Sequence, residues 1–213
     1  MGGLHPATTY LMRMLVVNEI AKSPYTDPIV IKTQEEAPMD APHNIQVQAG
    51  NVGELVVTWQ IPQKTSWNGE LLGYTVNYTE ERQNINYISP NRSVSKTITV
   101  HGWATTKSII TGLRKFSKYS VRIRAFNSIL PGPWSTLVVG TTLEGVPEAA
   151  PQNINCTSLS SQSIKISWNE PPLQFHGGII QGYKVLYRPL VKQSKIIFYK
   201  YFYSLFLLFI FIL

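Results

Sequence analysis

The chain is predicted to be all-β, built as two-sheet sandwiches in series, one complete and two truncated. Two observations carry this. The first is a repeat at a constant offset of 109 residues: Trp59 recurs as Trp168, and Gly73, Tyr74, Val76 and Tyr78 recur as Gly182, Tyr183, Val185 and Tyr187. The same offset maps Leu4, Tyr10, Arg13 and Asn18 onto Leu113, Tyr119, Arg122 and Asn127. A period near one hundred residues is too long for a solenoid and fits a string of independent domains. The second is period-two alternation of apolar and polar residues, which argues half-buried strands.

The elements follow in order. Residues 1–37 match the second half of the unit, residues 41–145 hold one whole unit, residues 150–190 match the first half of a third, and residues 191–213 form a hydrophobic tail outside the pattern. In the whole unit, residues 54–60 put Leu55, Val57 and Trp59 on one face. Residues 72–79 put Tyr74, Val76 and Tyr78 on one face and Thr75, Asn77 and Thr79 on the other. Residues 118–126 turn Tyr119, Val121, Ile123 and Ala125 inward and Ser120, Arg122, Arg124 and Phe126 outward. Asn68-Gly69 and Pro131-Gly132-Pro133 supply turn chemistry. Helical periodicity is absent before residue 195. The links repeat as well: Glu35, Pro38, Ala41, Pro42, Asn44 and Ile45 recur as Glu144, Pro147, Ala150, Pro151, Asn153 and Ile154. A link so short, carrying proline, is expected to be a stiff joint.

These residues resemble the fibronectin type III domain: Pro42 at the entry, Trp59 in the second strand, Gly73-Tyr74-Thr75-Val76-Asn77-Tyr78 in the third, and Leu113 six residues before Tyr119, then Arg122, Ala125 and Asn127. The resemblance implies core roles for Trp59, Tyr74, Val76, Leu113, Tyr119, Trp168 and Tyr183, with the tyrosine after the leucine bonding nearby backbone. The finer texture, Trp67-Asn68-Gly69-Glu70-Leu71-Leu72-Gly73-Tyr74 and Leu159-Ser160-Ser161-Gln162-Ser163-Ile164, is similar to the stalk of neuronal immunoglobulin-superfamily adhesion receptors of the Down syndrome cell adhesion molecule and sidekick type. It implies a cell-surface parent protein in neuronal cell–cell adhesion, with homophilic or heterophilic adhesion molecules as partners.

Two features depart from that pattern. Met1 aligns with Ile110, inside a domain, and the first residues lack the unbroken apolar run of a secretory signal. The expectation is a piece of a longer product. The uncharged run from Tyr201 to Leu213 is 13 residues, short of the roughly 20 that span a bilayer. Starting at Ile196 lengthens it but includes Lys200. The tail 196–213 is either a membrane anchor or translated non-coding sequence, and the repeat gives it no place in a core.

Cys156 is the single cysteine. It is either a small buried hydrophobe or half of a disulfide whose partner lies outside the chain. Sequons occur at Asn77, Asn91 and Asn155, with Asn77 expected on an outward face and Asn91 in a polar loop. The net charge is +7, and Lys107, Arg114, Lys115, Lys118, Arg122 and Arg124 fall in one stretch with no acid between them. That stretch is either a solvated sheet face or a patch for anionic glycans or a partner domain. Trp134 either stacks on Arg122 or Arg124 or packs across a domain junction.

Catalysis finds no support. His5, His43, His101 and His176 lack metal-ligand spacing, Cys156 has no base beside it in sequence, and Gly177-Gly178 precedes a strand rather than a helix. No cofactor or metal is implied, and the extracellular setting implied for the parent argues against nucleic acid. The expected role is non-enzymatic: an extracellular spacer and protein-interaction module. The alternative is a cytoplasmic scaffold of the same domain type.

Overall fold

Among the residues that the computed structural model describes, 2–81, 94–188, 198–202 and 208–211, every strand pairing is antiparallel. The strands are β1 (Thr9–Met12), β2 (Ile29–Lys32), β3 (His43–Ala49), β4 (Leu55–Gln60), β5 (Gly73–Glu81), β6 (Ser95–His101) and β7 (Lys107–Ile110). They continue as β8 (Lys118–Phe126), β9 (Val138–Thr141), β10 (Gln152–Ser160), β11 (Ser163–Asn169), β12 (Tyr183–Tyr187), β13 (Phe198–Phe202) and β14 (Leu208–Phe211). Two units result: Met1–Leu113 with Ser117–Leu143, and Arg114–Phe116 with Glu144–Leu213.

The all-β class holds, and the alternating segments read at 54–60, 72–79 and 118–126 are β4, β5 and β8. In the first unit a three-stranded sheet, β3-β4-β7, faces a four-stranded sheet, β6-β5-β8-β9. The inward residues of both sheets form one core: Leu55, Val57 and Trp59 from β4, Tyr74 and Val76 from β5, Ile110 from β7, Tyr119, Val121, Ile123 and Ala125 from β8, with Leu71. Each large aliphatic side chain buried this way contributes roughly 1.5–3 kcal/mol. Leu113 packs against the edge of the core. Gly140 lets the sheets close, because a Cβ there would collide with Val47 of β3.

Asn44 occupies the left-handed region at φ 50°, where the β3–β4 ladder slips between His43 and Gln46. The slip recurs between Gln152 and Asn155 on β10, with Asn153 at φ 52°. Asparagine tolerates this conformation better than other residues with a Cβ, so both bulges are written in the sequence.

Residues 35–39 do not hang between domains. The Glu36 N–H donates to Asn68 O (2.9 Å) and the Met39 N–H to Ser66 O (2.8 Å). Asn68 Nδ2 donates to Ala37 O (3.0 Å), Ser128 Oγ to Glu35 Oε2 (3.0 Å), and Asn127 Nδ2 to Glu36 O. The link is stitched to the 66–69 turn of the domain that follows it.

The second unit repeats this at the same offset. The Gly145 N–H donates to Gly177 O (2.7 Å) and the Glu148 N–H to Phe175 O (2.8 Å). Short 3-10 turns at Lys64–Ser66 and Leu173–Phe175, which periodicity did not reveal, build the docking ledge in each copy. Trp168 meets Tyr183 at 5.2 Å, as Trp59 meets Tyr74.

The tail departs from the sequence reading. The β13 strand pairs with β12 through Tyr183↔Phe202, Val185↔Lys200 and Tyr187↔Phe198, the place that β6 takes on β5. The β14 strand pairs with β11 through Ile164↔Ile210 and Ile166↔Leu208, the place that β7 takes on β4. A repeat of constant spacing gives these residues no place, because the spacing changes. Phe202 stands 102 residues after Val100 rather than 109, and Ile210 stands 100 after Ile110.

Candidate functional site

The outward face of β6-β5-β8-β9 is where the sequence placed its charge. Period two on β8 sends Arg122 and Arg124 to that face while Val121, Ile123 and Ala125 enter the core. The chain then turns at 127–132 and brings Trp134 back over both arginines. Asn127 fixes the turn, its Oδ1 accepting from the N–H groups of Ile129 (3.0 Å) and Leu130 (3.1 Å). Gly132 N–H donates to Ala125 O (2.8 Å) and Ser135 N–H to Ile123 O (2.8 Å). Ser135 Oγ accepts from the Ile123 N–H (2.9 Å).

Trp134 is thereby held against the sheet. The guanidinium carbon of Arg122 lies 4.7 Å from its ring centroid and that of Arg124 lies 4.3 Å away. Of the two readings of Trp134, the geometry selects stacking on the arginines. Each such contact is worth about 0.5–1 kcal/mol at an exposed site. The Arg122 Nε–H also donates to Asn77 Oδ1 (3.2 Å), and Asn77 Nδ2 donates to Ser95 Oγ (2.6 Å) and Lys96 O (3.3 Å). One row of contacts therefore runs Trp134, Arg122, Asn77, Ser95 across the sheet. Arg124 Nε is buried and has no hydrogen-bond partner among the described residues.

The six basic residues do not form one surface. Lys107 lies on β7, in the other sheet. Arg114 and Lys115 group with the second unit, where Lys115 Nζ lies 2.6 Å from Glu148 Oε1 and donates to Val146 O (3.3 Å). Lys118, Arg122 and Arg124 share the outward face of β8.

The sequons differ in setting. Asn77 is on the outward face but only 9% exposed, because Arg122 and Ser95 hold its amide. Asn155 is exposed on β10, and Asn91 lies outside the described residues. Cys156 is exposed, not the small buried hydrophobe of one sequence reading, since all nine residues of β10 are exposed.

Of the signature residues, Trp59, Tyr74, Val76 and Tyr119 are buried in the core, Leu113 packs against it, and Trp168 and Tyr183 are half-buried. Burial pushes the Tyr74 phenol up to about 12, with the Trp59 side chain opposing it, while Tyr74 Oη donates to Trp103 O (2.7 Å). Burial, and then the charge of Glu170, raise Tyr183. The backbone bond expected of the tyrosine after the leucine is seen at Tyr10, the counterpart of Tyr119: its Oη accepts from the His5 N–H (2.7 Å). Among the described residues no group of three or more His, Cys, Asp or Glu side chains is placed to hold a metal ion. No helix there is long and apolar enough to cross a membrane.

Comparison with known proteins gives this geometry a family context. The model of the fibronectin type III domain matches residues 40–141 and 149–200. Cell adhesion molecule Dscam1 of Drosophila melanogaster is 40% identical over 186 residues, 87% of this chain and 9% of that protein. Cell adhesion molecule DSCAML1 of Homo sapiens is 34% identical over 195 residues, 90% of this chain and 9% of that protein. Protein sidekick-1 of Homo sapiens is 34% identical over 193 residues, 88% of this chain and 8% of that protein. The chain thus spans about a tenth of the length of these relatives or less.

Proposed function

The chain belongs to the fibronectin type III family, and from that premise we propose that it is a spacer and protein-interaction segment of a cell-surface adhesion receptor. Its domains are non-enzymatic structural or recognition modules. The relatives it matches are cell adhesion molecules and a sidekick protein. The observation that carries the spacer role is the docked link. Backbone bonds tie Glu36 and Met39 to Asn68 and Ser66, and the same bonds recur at Gly145 and Glu148. A link held by backbone bonds on the domain that follows it leaves less free chain than a flexible tether would. Such a series holds recognition surfaces at a set distance from a membrane. Partners are other adhesion molecules, homophilic or heterophilic, in neuronal cell–cell contact, and the parent protein sits in the cell membrane.

The Arg122–Trp134–Arg124 stack is the recognition face. Stacking fixes both guanidinium planes, and a fixed guanidinium edge suits carboxylate or sulfate groups of an acidic protein or an anionic glycan. The test is retention on immobilised heparin over a salt gradient. The wild-type chain is expected to elute later than the Arg122→Glu, Arg124→Glu variant, and Trp134→Ala to fall between them. Equal elution of all three would remove the face from the proposal and leave the spacer role standing.

A further inference from the structure

We propose that Asn68 is a deamidation site gated by the 35–39 link: it reacts when the link lifts off the 66–69 turn, and its product keeps the link from docking again. Asn68-Gly69 is the one Asn-Gly pair in the sequence. An asparagine side chain is attacked at Cγ by the main-chain nitrogen of the residue that follows. Glycine in that position reacts fastest, because no Cβ stands in the path and its backbone turns freely. Asn68 is half-buried, so water reaches it.

The step balances with water as the sole co-reactant. Gly69 N bonds to Asn68 Cγ, the Cγ–Nδ2 bond breaks, and ammonia leaves with the proton that Gly69 N gives up. Water then opens the succinimide ring. Opening at Cγ yields aspartate. Opening at the main-chain carbonyl carbon yields isoaspartate, whose chain runs on through Cγ.

The docked link closes this route. Asn68 Nδ2, the nitrogen that must leave, donates to Ala37 O (3.0 Å). The Glu36 N–H donates to Asn68 O (2.9 Å), which fixes the main chain at φ 52°. Attack requires both the side chain and the adjoining peptide to swing, and these bonds oppose that.

The product opposes docking in turn. The Glu35 carboxylate lies over Gly69, where a Cβ would meet Oε2 at 2.7 Å. A carboxylate at position 68 adds like charge beside it and sets an acceptor against Ala37 O where a donor stood. In isoaspartate the carbonyl that accepts from the Glu36 N–H has itself become the carboxylate. The second unit supplies the contrast. Gly177 takes the place of Asn68 at φ 63°, and the Gly145 N–H still donates to Gly177 O (2.7 Å). Docking therefore needs no side chain at this position, and the new charge is what breaks it.

The test follows residue 68 in the full chain at neutral pH in heavy-oxygen water, by peptide mapping that separates asparagine, aspartate and isoaspartate. Conversion is expected to be at least about fivefold slower in the folded chain than in denaturant, the scale of losing one hydrogen bond. Asn127→Ala, which frees the Glu36 carbonyl, should convert at a rate between the two. Amide exchange separates the charge from the lost bond. At Glu36 and Met39, Asn68→Asp should exchange at least about fivefold faster than Asn68→Gly. Three results would each overturn the proposal: equal conversion in folded and denatured chains, conversion in Asn127→Ala no faster than in wild type, or Asn68→Asp as well protected as Asn68→Gly.

Discussion

Trp59 meets Tyr74 edge to face, ring centroids 5.2 Å apart and planes at 62°. The two side chains come from opposite sheets, β4 and β5, so the contact joins the two layers of the sandwich. Its counterpart, Trp168 with Tyr183, keeps the same 5.2 Å and closes at 63°. An aromatic pair of this kind adds about 0.5–1.5 kcal/mol beyond the area it buries. Trp59→Ala is expected to destabilise the complete domain by about 3–5 kcal/mol in chemical denaturation, the range for emptying a large core site. A loss below about 1 kcal/mol would mean that the ring is not central to the core.

Tyr74 makes stability depend on alkaline pH. Its phenol is held up to about 12 by burial, against an ordinary 10.0. The folded state therefore keeps a proton that the unfolded chain releases. That contribution is complete below pH about 10 and is lost as pH rises towards about 12. Denaturation midpoints measured across that window should fall, and Tyr74→Phe should flatten the fall while losing the bond to Trp103 O. An unchanged slope in the variant would assign the effect to another group.

Asn77 is expected to carry no glycan in the folded protein, because both ends of its amide are engaged with Arg122, Ser95 and Lys96. Asn77→Ala should cost about 1–3 kcal/mol, the scale for leaving buried partners unsatisfied. Asn155, exposed on β10, is the acceptor expected to be occupied in a secretory host. Intact mass with and without glycosidase, on wild type and on Asn155→Gln, checks both statements; a glycan at Asn77 would contradict the packing of that face.

Gly140 is expected to tolerate no side chain. A Cβ there meets Val47 and comes within 3.4 Å of Leu55 Cδ2, both from the facing sheet. Gly140→Val should destabilise by about 1–3 kcal/mol through overpacking. Thermal unfolding of the variant measures this, and a midpoint unchanged from wild type would show that β9 does not close on β3.

Much of this was legible because strands write themselves in period two. Alternation placed Trp59, Tyr74 and Tyr119 inward and Arg122 and Arg124 outward, and it left Trp134 open between stacking on those arginines and packing across a domain junction. Alternation names the face and not what lies over it, which is why the burial of Asn77 and the split of the basic stretch between two sheets were not legible. The strands β13 and β14 were missed because the spacing shortens by several residues ahead of them, and a gap-free repeat cannot follow a change in loop length. The docked link rests on backbone N–H and C=O groups, which every residue carries, so side-chain pattern could not announce it.

The docked link is also where the account is most exposed. Hydrogen exchange of the Glu36, Met39, Gly145 and Glu148 amides tests it directly, with Asn127→Ala as the perturbation. The account predicts protection at all four sites in the wild-type chain. It also predicts faster exchange at Glu36 in the variant, where the Asn127 side chain no longer holds the Glu36 carbonyl. Exchange at Glu36 and Met39 as fast as in an unstructured peptide would contradict it, because neither amide would then be held by the 66–69 turn.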